Sequence, residues 1–109
     1  MNPVTVTVAG FQCVFDGGAN NYTYAQAVSC LQTQQPGYSV ATKAQLDTIK
    51  AANNATILQY FQGTNNAVWS KTAGPAGPSY MYAIAMGDDD PDAAIDVTTS
   101  LTMSVFGVK

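Results

Sequence analysis

The chain has 109 residues, which suits one domain spanning 1–109. Hydrophobic residues make up 47%, enough for a core, but only 10% are charged, against about 25% in an average soluble domain. The net charge is −3, the isoelectric point is about 4.2, and His, Arg and Glu are all absent. Without His there is no Ser-His-Asp triad, no Cys-His dyad and no zinc site of the usual catalytic kind. Without Arg there is no bidentate clamp for phosphate, and the acidic balance argues against nucleic acid as a partner. The composition therefore points away from an enzyme. Surface polarity falls to Asn, Gln, Ser and Thr. No run of about 18 apolar residues is present, so membrane insertion is not expected. The N-terminus has neither a basic region nor a long apolar stretch, so it does not read as a signal peptide. The chain reads either as one that bypasses the general secretory route or as a domain of a longer exported protein.

The opening segment alternates. Val4, Val6 and Val8 face one way and Thr5 and Thr7 the other, the pattern of a half-buried strand. Ala9-Gly10 interrupts it, and Phe11, Cys13 and Phe15 share one face of a second strand. Turn residues fill Asp16 to Asn21. Thr23 with Gln26 three residues later is a capping box that starts a helix. Tyr24, Ala27, Val28 and Leu31 form its apolar stripe, and Pro36-Gly37 stops it. Tyr38-Ser39-Val40 is short and extended. Thr42 with Gln45 opens a second helix to about Ala52, which Asn53-Asn54 breaks or re-caps. Ile57, Leu58 and Phe61 then continue helically until Gly63. Ala67 to Lys71 reads as a strand and holds the only tryptophan, Trp69. The stretch Thr72 to Ser79 is too rich in Gly and Pro for regular structure. Tyr80 to Met86, Ala94 to Val97 and Leu101 to Val108 supply further strands, with Leu101, Met103 and Val105 on one face. The expected class is α+β: two helices packed on a small, mostly antiparallel sheet.

Several groups are candidates for function. Cys13 and Cys30 allow one intrachain disulfide, which would contribute roughly 3 kcal/mol; the other reading is two small buried hydrophobes. Asp88, Asp89, Asp90 and Asp92 crowd one loop, with Asp96 nearby. Their hard oxygens suit calcium, but the spacing is not that of an EF-hand, so weak binding or none is expected. Beyond that, no cofactor is expected. A glycosidase-like carboxylate pair would need Asp16 or Asp47 to meet this loop across a cleft. Trp69, Tyr80 and Tyr82 form either an aromatic patch for docking or part of the core. Pro75 and Pro78 stiffen the long loop, which reduces the ordering cost of binding and makes it a candidate contact element.

The order of three segments resembles the C-type lectin-like fold. These are Tyr24-Ala25-Gln26-Ala27-Val28-Ser29-Cys30, then Gly37-Tyr38-Ser39-Val40-Ala41-Thr42 leading into the second helix, then Val68-Trp69-Ser70. The chain is most similar to the compact bacterial and phage form, such as the terminal domains of intimin and invasin adhesins. In that form the helix cysteine usually pairs with one in the last strand. Here the last strand, Val105-Phe106-Gly107-Val108, has none, so Cys30 pairs with Cys13 or stays free. The family's sugar-binding signature is also missing, since Trp69 is followed by Ser70-Lys71. The resemblance and the composition together imply a non-enzymatic virion protein, a capsid decoration or head-surface protein whose partners are other virion proteins. The alternative is the tip domain of an adhesin on a bacterial cell surface, which would bind a host receptor or glycan.

Overall fold

The computed structural model describes residues 1–18, 20–62 and 67–109. Ala19 in the first turn and the anticipated helix end at Gly63 lie outside those residues. The elements, in order, are β1 (Pro3–Val8), β2 (Phe11–Asp16), α1 (Tyr24–Gln34), β3 (Ser39–Val40), α2 (Lys43–Ala51), α3 (Ala55–Tyr60), β4 (Ala67–Ala73), β5 (Tyr80–Ala85), β6 (Ala93–Asp96) and β7 (Phe106–Val108). The α+β class holds.

Both anticipated capping boxes form. Thr23 and Thr42 each accept from the backbone three residues on, and Gln26 and Gln45 each reach back to the cap. Ala9 and Gly10 take positive φ, 52° and 84°, so they make a two-residue hairpin turn between β1 and β2.

The pattern suggests two helices and one sheet; the described residues form three helices and two antiparallel sheets. The extra helix comes from Asn53 and Asn54. Asn53 adopts a left-handed φ of 50° just after α2. Asn54 then accepts from the N–H groups of Thr56 and Ile57 at 3.0 and 3.1 Å, starting α3 on a new axis. One sheet has the order β1-β2-β7-β3 and the other β4-β5-β6. The anticipated last strand shrinks to Phe106–Val108 because the residues before it cross between the sheets. Met103 pairs with Tyr22, while Ser104 bonds to Ala67 and Trp69. Leu101 is left 52% exposed instead of sharing a buried face.

Strand alternation divides the interior in two. Cys13, Phe15, Phe106 and Val108 face α2, α3 and the second sheet, where they meet Leu46, Ile49, Phe61 and Ile84. The rings of Phe15 and Phe106 stack at 5.7 Å, and Phe61 meets Phe15 edge-on at 5.1 Å. Val14 faces the other way, towards Ala27 and Leu31 of α1 and towards Trp69 and Val105. Gly107 lets α1 settle closely, because a Cβ there would lie 2.9 Å from a Leu31 methyl. Each large side chain fully buried in this way contributes roughly 1.5–3 kcal/mol. The Cα radius of gyration is 12.4 Å, near the roughly 13 Å of a folded 100-residue domain. Among the described residues no helix is long and apolar enough to cross a membrane.

Candidate functional site

The β4–β5 hairpin carries most of the anticipated contact residues, and the fold sorts them. Trp69 is core: it is 1% exposed, its indole N–H donates to the Tyr22 carbonyl at 2.7 Å, and Tyr24 packs edge-on at 5.7 Å. It offers no surface to a partner. Tyr82 is half-buried against the aromatic core, with the Lys43 ammonium 5.7 Å above its ring. Met81 points to the opposite face, with Ile95 and Val97. Tyr80 is half-buried, opposite Asp96 in the ladder.

Strand β4 runs two residues further than anticipated, to Ala73, because a register shift lies between Trp69 and Ala73. That irregularity bends the strand as a bulge does. The end of the hairpin is then held by short backbone bonds. Gly74 N–H donates to the Tyr80 carbonyl at 2.6 Å, and Tyr80 N–H donates to that of Gly77 at 3.2 Å. Gly77 has a φ of 139°, a conformation that side chains disfavour. A Cβ on Gly74 would lie 2.5 Å from the Ala94 Cβ, so the hairpin end rests directly on β6. Pro75, Ala76 and Pro78 are exposed at its tip. From Thr72 to Gly87 the chain carries no charged side chain.

The acidic loop is not gathered around one point. Asp88, Asp89 and Asp90 are exposed, and Asp88 accepts from the Asp90 N–H at 2.9 Å in a local turn. Asp92 turns instead to Lys43, at 3.1 Å, and Asp47 holds the same ammonium at 2.8 Å. These two hydrogen-bonded carboxylates raise the pKa of Lys43 above its ordinary value. Asp47 does meet the acidic loop, but across an ammonium that bridges it to Asp92 and fills the space between the two carboxylates, which does not suit the open cleft of a glycosidase. Asp96 accepts from the N–H and hydroxyl of Thr98, which hold its carboxyl below the usual range. Among the described residues no three His, Cys, Asp or Glu side chains converge as a metal site.

The structure does not bring Cys13 and Cys30 together; both thiols are free and buried. Cys13 lies on the face of β2 turned away from α1, while Cys30 sits on α1 itself. Cys13 donates to the Phe11 carbonyl and Cys30 approaches the Met1 sulfur, each at 3.6 Å. Burial pushes the Cys13 thiol up to about 11, partly offset by a backbone hydrogen bond from Val8.

Sequence reasoning missed the role of Asp16. At 6% exposure it is the one buried charged residue among those described. Its Oδ1 accepts from the N–H groups of Asn2 at 3.1 Å and Gly18 at 2.8 Å. Its Oδ2 accepts from the Asn20 amide at 3.2 Å and from the Tyr22 hydroxyl. Burial opposes ionisation, but these donors outweigh it and hold the carboxyl below its ordinary range. Burial, together with the bond to Asp16, raises the Tyr22 phenol well above its usual value. The available signal was the Asp-Gly-Gly turn directly after a strand, where an aspartate commonly bonds its own backbone. Beside this hub, a shallow groove of about 630 Å³ runs along α1, lined by uncharged groups such as Asn20, Asn21, Gln26, Ser29 and Gln34.

Comparison of the chain with protein-family models, with curated proteins and with solved structures gives no match.

Proposed function

We propose that this chain is a non-enzymatic docking module, and specifically a phage virion protein that decorates the outer surface of the capsid. The observation that carries the reading is the tip of the β4–β5 hairpin. It presents Pro75, Ala76 and Pro78 to solvent on a frame fixed by backbone bonds and by the seat of Gly74 on β6. A stiff, uncharged, partly apolar projection loses little entropy on binding. Tyr80 borders it, whereas Trp69 and Tyr82 serve the fold. The succession of α1, short strand β3, α2 and Trp-bearing β4 follows the order on which the C-type lectin-like resemblance rests, with α3 added between α2 and β4, and that fold assignment belongs to the same proposal. The lack of His, Arg and Glu supports a binding role over a catalytic one.

Apolar burial contributes roughly 25 cal/mol per Å² before the costs of association. With no charge on the tip, attachment depends little on salt. The test is co-sedimentation of the purified protein with capsids that lack it, over a range of sodium chloride concentrations. Binding that persists at high salt is expected. Absence of binding at every salt rejects the virion assignment, and binding that collapses as salt rises rejects the apolar mechanism.

A further inference from the structure

The outer edge of β1 has no partner strand among the described residues. Its pairing with β2 decides which backbone groups point outward. Val8 faces Phe11 across the two-residue turn, and Gly17 N–H donates to the Asn2 carbonyl at 2.7 Å. The even-numbered residues therefore bond inward, and Pro3, Thr5 and Thr7 turn outward. Pro3 has no N–H, so Thr5 and Thr7 supply the unpaired donor and acceptor groups. The side chains along this edge, Val4-Thr5-Val6-Thr7-Val8, read the same in both directions. Proteins usually guard such edges with charge, yet no residue before Asp16 has a charged side chain. Tyr60, 43% exposed, stands beside the edge against Phe15, the register partner of Val4.

We propose that β1 is the seat of a symmetric dimer, in which a second copy of this chain adds its own β1 antiparallel about Val6. In that register Thr5 of each copy exchanges backbone hydrogen bonds with Thr7 of the other. Val6 lies against Val6, and Val4 against Val8. Neighbouring registers are poorer. Pairing Thr5 with Thr5 places Thr7 opposite Pro3, which cannot donate. Pairing Thr7 with Thr7 places Thr5 opposite Ala9, whose φ of 52° takes it out of the strand. The sequence thus selects one register, and the two four-stranded sheets become one continuous sheet. Such an interface is isologous, as a two-fold axis requires. An edge of one short strand lies at the small end of specific interfaces, so the dimer is expected to dissociate with a constant of roughly the upper micromolar range.

The test is sedimentation velocity on the whole chain from micromolar to near-millimolar concentration, with two variants. Thr5 and Thr7 are exposed, so both variants should melt as the parent does. Thr5→Lys with Thr7→Lys sets like charges opposite each other twice and should raise the dissociation constant about tenfold or more. Thr5→Lys with Thr7→Asp sets opposite charges there and should restore the parent constant. A monomer at all concentrations overturns the proposal. So does a dimer that ignores the double lysine, or one that the Lys/Asp variant does not restore. Should a variant melt early, amide exchange of the parent decides. Thr5 and Thr7 should be protected as concentration rises while Val4 and Val6 are unchanged, and equal behaviour of all four rejects the edge.

Discussion

Replacing Asp16 with Asn removes the negative charge from the hub while keeping its shape. The carboxylate accepts four hydrogen bonds, two on each oxygen, and joins the start of β1, the turn after β2 and the approach to α1. A hydrogen bond to a charged group contributes about 1.5–3 kcal/mol, and such values do not add fully. Asn keeps one acceptor oxygen and presents an amide to the other pair of donors, so the expected loss is about 2 kcal/mol; Ala should cost about 4. For a domain of this size, 2 kcal/mol lowers the melting temperature by roughly 8–16 °C. The pH dependence gives a sharper signature. The folded pKa of Asp16 lies below its unfolded value, so its contribution is complete above about pH 4 and is lost as pH falls through the folded value. Tyr22 is shifted upward, so its contribution holds below about pH 10 and is lost as pH rises through its folded value. Thermal unfolding followed by circular dichroism from pH 2 to 11, chosen as an experimental range, should show a plateau with an acid arm below about pH 4 and an alkaline arm that the raised Cys13 thiol opens above about pH 9 and the raised Tyr22 and Tyr24 phenols deepen above about pH 10. The Asn variant should lose most of the acid arm. A variant that melts within about 2 °C of the parent, or keeps the full acid arm, refutes the assignment of Asp16 as the hub.

Three further outcomes follow from local geometry. Gly87→Ala would place a Cβ 1.3 Å from the Phe61 carbonyl oxygen; a loss above about 3 kcal/mol is expected in denaturant titration, and a parent-like midpoint would contradict the packing. Ala9→Asn should stabilise by up to about 1 kcal/mol, because Asn tolerates the left-handed φ of 52° that Ala adopts before Gly10; a lower denaturation midpoint would count against that turn. Intact-mass measurement under non-reducing conditions should find two free thiols, with Cys13 alkylated slowly at neutral pH until the protein is unfolded; a Cys13–Cys30 disulfide would contradict the opposed faces of β2.

Much of the fold was legible because local signals and periodicity agreed. The two Thr-x-x-Gln boxes located α1 and α2, and the alternation of β1 and β2 located their faces. The second sheet was not legible, since nothing local marks the point where residues before Phe106 leave one sheet to bond the other. Trp69 and Tyr82 have the composition of a docking patch, and only the tertiary fold shows that they pack inward. Asp92 reads as one acid among four, yet Lys43, far away in sequence, takes it out of the cluster. The Gly/Pro tip was legible as a loop from composition. Its rigidity was not, because it depends on Gly74 meeting Ala94 of β6.

The docking claim is tested most directly by comparing the parent with Pro78→Asp on capsids that lack the protein. Pro78 is exposed, so the substitution should cost no more than about 1 kcal/mol of stability, the freedom that losing a proline returns to the unfolded chain. A buried, unpaired carboxylate at the contact is costly, and apparent affinity should fall by about tenfold or more, equivalent to about 1.4 kcal/mol. Equal binding by the two proteins would remove the hairpin tip from the interface, and binding by neither would contradict the capsid as partner.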